Sequence, residues 1–95
     1  MPVFVGLLTT ELIIPETASL KDKRQALRSL LTRMPNKLKV AVAEVDHLDC
    51  HQRAGIATAT VSNTKAQVHS ILMAASQFIE SESRIVVQSE TVEIM

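Results

Sequence analysis

Apolar and polar positions regroup along this chain into stretches of two periods. Val3 to Ile14 is β-branched or apolar almost throughout, broken by Thr9, Thr10 and Glu11 and closed by Pro15. That composition predicts a strand, and a central one, because both alternating faces are largely apolar. Leu20, Leu27, Leu30, Leu31 and Met34 then recur at the three-and-four spacing of an amphipathic helix from Leu20 to about Arg33. Pro35 is expected to end that helix, because the residue before a proline is pushed out of the α region. Leu38 to Val45 alternates as a second strand, the polar stretch Asp46 to Gln52 makes a loop, and Arg53 to Val61, rich in small residues, makes a third strand. Val68, Ile71, Leu72, Ala75, Phe78 and Ile79 form the stripe of a second helix, with Thr64 and Gln67 spaced as a capping box at its start. Arg84 to Ile94 supplies a final strand.

The resulting order, β-α-β-β-α-β, predicts one α+β domain over residues 1–95: a ferredoxin-like, four-stranded antiparallel sheet with two helices on one face and strands one and three at its centre. That arrangement hosts many unrelated functions. It leaves one sheet face bare, and the apolar residues of strand one on that face predict self-association, as a homodimer, through the face or a strand edge.

Composition narrows the function classes. Two phenylalanines and no Trp or Tyr leave no aromatic platform on which bases could stack. Gly6 and Gly55 are isolated inside strands, which excludes a phosphate-cradling glycine loop. Cys50 has no second cysteine to pair with. Together with a start that lacks a basic lead and the absence of a long apolar run, this predicts a cytoplasmic protein with no membrane partner.

The formal charge is zero, yet it is segregated. Ser19 to Lys39 holds Lys21, Lys23, Arg24, Arg28, Arg33, Lys37 and Lys39 against Asp22 alone, seven minus one, a net of plus six. Ser19 is a natural N-cap and Asp22 its capping-box partner. Lys21, Lys23 and Arg24 therefore fall in a first helical turn, where the macrodipole disfavours cations by roughly 0.3–1 kcal/mol each. Cations gathered beside free N–H groups make an anion site, set against the plainer reading of solvated surface charge.

The hairpin loop, Glu44-Val45-Asp46-His47-Leu48-Asp49-Cys50-His51-Gln52-Arg53, concentrates ionisable groups. Asp46, His47, Asp49, Cys50 and His51 are all acceptable zinc ligands, but their spacing matches no established signature and neighbours on an extended chain point apart. No metal or other cofactor is assigned on this basis. Glu44 or Asp46 could orient His47 as a proton carrier, but no activated nucleophile accompanies them, since Asp49 opposes a thiolate at Cys50. A purely structural role, fixing the turn, is the simpler reading of these residues.

Ser19-Leu20-Lys21-Asp22-Lys23-Arg24, Val42-Ala43-Glu44-Val45-Asp46-His47, Gln52-Arg53-Ala54 and Val61-Ser62-Asn63 together resemble the pattern of the YlxP-like family of small bacterial proteins. The likeness spans nearly the whole chain. The resemblance implies a ferredoxin-like fold and no established activity. The family's genes often neighbour those for translation initiation and ribosome maturation, which implies an association with ribosomal or other structured RNA. Cys50-His51 stands here in place of a Leu-Trp pair expected from that pattern. Lys21, Lys23, Arg24 and Arg28, joined by His47 and Arg53, are accordingly the expected phosphate contacts of a non-catalytic module bound to structured RNA or a ribosomal subunit. A homo-oligomeric module using the open sheet face is the alternative, and a small enzyme centred on Glu44, Asp46 and His47 the third.

Overall fold

Along β1 (Phe4–Ile13), alternate residues are driven under the helices: Gly6, Leu8, Thr10 and Leu12 are buried, whereas Val5, Leu7, Thr9, Glu11 and Ile13 stay half-exposed on the other face. The computed structural model describes all residues, Met1–Met95. The Ser19 hydroxyl accepts a hydrogen bond from the Asp22 backbone N–H at 3.1 Å, and α1 (Leu20–Arg28) starts there. The rest of the expected capping box does not form, because the Asp22 carboxylate turns instead to Arg84, 3.0 Å away.

Pro35 does not end the helical arm. α1 runs into a π-helical turn (Ser29–Arg33) and on into α2 (Met34–Leu38), with Pro35 in the first turn of α2. The widened turn, in which the Met34 N–H reaches back to Ser29 O, removes the demand for an i→i−4 bond just where a proline cannot make one and where its ring would strike the preceding turn. Lys39, in the left-handed conformation at φ 56°, ends the arm. Leu38 is therefore helical, and β2 (Ala41–Asp46) starts later than the alternation suggests. β3 (Arg53–Ser62), α3 (Lys65–Glu80) and β4 (Val86–Ile94) complete the chain, with the Thr64 hydroxyl accepting from the Gln67 N–H at 3.1 Å to cap α3.

The four strands lie in the order β2-β3-β1-β4, each pair antiparallel, with the helices on one face. This is the ferredoxin-like arrangement, with strands one and three central as the apolar pattern requires. The core lies between the layers: Leu8, Leu12 and Ile56 from the sheet, Leu27, Leu30 and Met34 from the first helical arm, Val68, Leu72 and Ile79 from α3. A Cβ at position 6 would stand 2.3 Å from Val68 Cγ1, so glycine there lets α3 settle against the β1 backbone. Lys37, with its ammonium 5.9 Å from the Phe78 ring centroid, adds a cation–π contact between the helices.

Lys23 ties the helical layer to the β2–β3 hairpin. Its side chain is 1% exposed, and its ammonium lies 2.7 Å from Glu44 Oε2, 3.0 Å from His47 O and 3.1 Å from Arg53 O. An ammonium has three N–H donors, and these three oxygens match them one for one. That full set of partners is what permits a cation to be buried at all, since desolvating it alone costs several kcal/mol. Glu44 Oε2 has no other donor. The loop is held from a second side as well. The Thr17 hydroxyl reaches His51 O, Ile14 N–H donates to Gln52 O at 2.8 Å, and the Gln52 side chain donates to Thr17 O at 3.3 Å.

Two outcomes follow from this packing. Lys23→Ala leaves the Glu44 carboxylate and two carbonyls without their donor, and is expected to lower unfolding free energy by about 3–5 kcal/mol, read as a fall in the urea midpoint. The Thr58 hydroxyl is fully buried without a hydrogen-bond partner. Thr58→Val keeps the shape and removes that hydroxyl, so the same measurement should show a gain of about 1 kcal/mol.

Candidate functional site

The residues expected to form one basic patch are divided between the two sides of the sheet. Lys21, Arg24 and Arg28 are exposed at i, i+3 and i+7 on the outer face of α1, and none makes a salt bridge within the chain. Spacing of this kind lines side chains along one helical stripe. Lys23 is not part of it. As the preceding geometry requires, it points inward and its charge is matched by Glu44, which removes it from the expected phosphate contacts. Charge counting along the chain could not reveal this, because it treats every cation as solvated.

His47 and Arg53 belong to the opposite side. Arg53 pairs in register with Ile13, on the face away from the helices. His47 follows β2 in the left-handed conformation, φ 59°. That turn sends its carbonyl toward Lys23 under the helices and its ring toward Glu11 on the open face, where Nε2 lies 2.9 Å from Glu11 Oε2. The expected patch joining helix one to the hairpin loop is therefore split, with His47 and Arg53 separated from the α1 cations by the sheet itself.

The proposed enzyme centre is taken apart by the same alternation. Glu44 faces the helices and is bound to Lys23, so it does not orient His47. The carboxylate that does is Glu11, 36 residues away in the chain and brought alongside by strand pairing. Glu11 pairs with Gly55 on β3, and Gly55 with Asp46 on β2, so these three residues form one row across the open face. A β-bulge between Glu44 and Asp46 sets this register. Gly55 keeps the middle of the row clear, since a Cβ there would stand 2.7 Å from Asp46 Cβ. Asp46 Oδ1 accepts from the His47 backbone N–H at 2.8 Å, and Asp46 Oδ2 lies 3.8 Å from His47 Nε2. Ligand atoms of Glu11, Asp46 and His47 all lie within 4.8 Å of one another.

Sequence reasoning missed Glu11 as a site residue. Its one legible signal was a charged residue inside an otherwise apolar central strand. Asp49, Cys50 and His51 do not join the cluster. The one pronounced concavity, about 220 Å³ lined by Pro15, Glu16, Ser83, Arg84 and Val86, does not include His47.

Beyond that row the open face is largely apolar and low over β1, β2 and β3, while β4 lines its edge with Ser89, Thr91 and Glu93. Cross-strand pairs put Val5 beside Val61, Leu7 beside Ala59, and Thr9 beside Ala57, and Ala41 and Ala43 continue the same rows on β2. Val61 and Val86 are exposed there. No helix is long and apolar enough to cross a membrane.

Comparison with known proteins agrees with this architecture. An uncharacterised protein, YlxP, of Bacillus subtilis strain 168 is 36% identical over 77 residues, covering 81% of this chain and 84% of its own. A crystallised dimeric protein of unknown function with a ferredoxin-like fold, from Bacteroides fragilis NCTC 9343, superposes with a TM-score of 0.54 at 12% identity, over 97% of this chain and 94% of its own. A de novo designed protein, Foldit4, superposes at 0.50 and 13% identity, over 97% and 93%. At such identities these two likenesses speak for the fold alone. The family model described as a protein of unknown function, DUF503, matches residues 5–92, and with the YlxP likeness it establishes that this chain belongs to the DUF503 family.

Proposed function

We propose that this protein is a non-catalytic interaction module that pairs with a second copy of itself through the open sheet face. The observation that carries the reading is the apolar field on that face: Val5, Leu7, Ala41, Ala43, Ala57, Ala59 and Val61 lie side by side in register with no helix over them, bordered on β4 by Thr91 and Glu93. Four strands about 4.8 Å apart and up to ten residues long make a surface of roughly 600 Å² before side-chain relief is counted. A standard interface takes about 800 Å² from each partner. The alanine rows keep the face flat, which favours close approach of a second sheet. The apolar part of that surface is stabilised by burial against another copy. The Bacteroides fragilis protein of the same fold is described as dimeric, which is consistent with the reading.

A second reading has its own support. Lys21, Arg24 and Arg28 stand unpaired along the exposed face of α1, and in a sheet-to-sheet dimer both helical layers stay on the outside. The three cations suit the phosphate backbone of a structured RNA such as that of a ribosomal subunit, read by shape and charge in the absence of stacking residues.

Sedimentation velocity over a concentration series is expected to show a dimer for the native chain. Leu7 pairs with Glu93 on the open face, so Leu7→Lys introduces a charge that the fold tolerates and a partner sheet does not. It should give a monomer of half the mass with little change in circular dichroism, and a monomeric native chain at high concentration removes the proposal. For the second reading, changing Lys21, Arg24 and Arg28 together to Ala should flatten the dependence of log K on log salt for an A-form RNA hairpin by about two to three. An unchanged slope ends it.

A further inference from the structure

The row of Glu11, Gly55 and Asp46, capped by His47, has the chemistry of a cation site that neither the dimer nor the RNA reading uses. His47 Nε2 can carry one proton, and two carboxylates from different strands converge on it: Glu11 Oε2 at 2.9 Å and Asp46 Oδ2 at 3.8 Å. Only one of them can be satisfied by that proton. A divalent ion satisfies both together with the ring nitrogen. Metal–ligand bonds of about 2.0–2.2 Å place neighbouring ligand atoms roughly 2.9–3.5 Å apart. The two separations from Nε2, 2.9 and 3.8 Å, lie at the lower end of that range and just above it, and all three ligand atoms lie within 4.8 Å of one another, so the groups enclose an ion by drawing together through side-chain rotation without rearranging the sheet.

The surrounding chain holds the three donors in place from independent directions. Glu11 is fixed by the central strand β1. Asp46 is brought into its row by the bulge in β2, and its other oxygen is held by the His47 N–H. His47 is held in a left-handed turn by the bond from buried Lys23 to its carbonyl, a conformation that a residue with a side chain adopts only when its surroundings require it. Gly55 leaves the space between the carboxylates open at the level of the backbone.

We infer that Glu11, Asp46 and His47 bind a divalent transition-metal ion on the open sheet face, with Zn²⁺ or Mn²⁺ as the fitting class. One nitrogen and two carboxylate oxygens suit such ions, and donors from three residues leave further coordination positions for water or for an incoming oxygen ligand. Cys50 and His51, the ligands suggested by the loop sequence alone, take no part.

The test is a calorimetric titration of the full chain with Zn²⁺ alone, alongside Glu11→Gln, His47→Gln and the double variant Cys50→Ser/His51→Gln, each checked for native circular dichroism. One ion per chain is expected, with affinity lowered at least about tenfold in each of the first two variants and unchanged in the third. The native chain supplies a second measurement that needs no variant. Its three histidines give three sets of ring signals, and substoichiometric Mn²⁺ should broaden those of His47 first and most strongly, those of His51 in the same loop less, and those of His69 on α3 least. Absence of saturable heat, affinity lost only with Cys50 and His51, or broadening centred on His51 would each overturn the assignment.

Discussion

A single buried ammonium links the two layers of this fold at the point where the sheet turns back on itself. Lys23 extends from the start of α1, and its three donors find Glu44, His47 O and Arg53 O, one oxygen on β2 and two at the edges of the loop. A cation in that position is tolerable only while all three oxygens are present, and those oxygens converge only when the helix is docked and the hairpin closed. The interaction therefore couples helix docking to hairpin geometry. The loop's remaining bonds, from Thr17 and Gln52, then fasten it to the segment entering α1.

The same contact has consequences on the far side of the sheet. Fixing the His47 carbonyl under the helices turns its ring the other way, onto Glu11 and next to Asp46. Two carboxylates that look adjacent in sequence, Glu44 and Asp46, thereby serve different faces: one neutralises a core cation, the other lies in the open row with Glu11 and Gly55. Beyond that row β1, β2 and β3 present mostly alanine, valine and leucine on the open face, with Thr91 and Glu93 along the β4 edge. The proposed ion site and the proposed dimer contact accordingly draw on separate parts of the sheet, the polar cluster toward one end and the flat apolar field beyond it.

Much of the architecture was legible from periodicity. The strands, the two helical stripes and the Ser19 and Thr64 caps all reflect local physics, in which residues a few positions apart decide the outcome. Pro35 was misleading because its usual effect, ending a helix, is avoided when the preceding turn widens to π-helical spacing. Lys23 was misleading for a different reason. Nothing near it in the chain marks it as buried, and its partners lie more than twenty residues away. Glu11 and His47 are further apart still, and only the β1–β3–β2 register, together with a bulge invisible to simple alternation, brings them together. Lys21, Arg24 and Arg28, whose exposure depends only on helical spacing, lie where the stripe puts them.

The dependence of hairpin geometry on the buried pair is open to a direct energetic measurement. In a double-mutant cycle using Lys23→Met and Glu44→Leu, with unfolding free energies from urea titration, each single change strands a buried charge or its partner and the double change removes both. A coupling energy of about 2–3 kcal/mol is predicted, with the double variant far more stable than the sum of the single losses implies. Additivity within about 0.5 kcal/mol would contradict the account, showing that Lys23 and Glu44 do not hold the layers together as a pair.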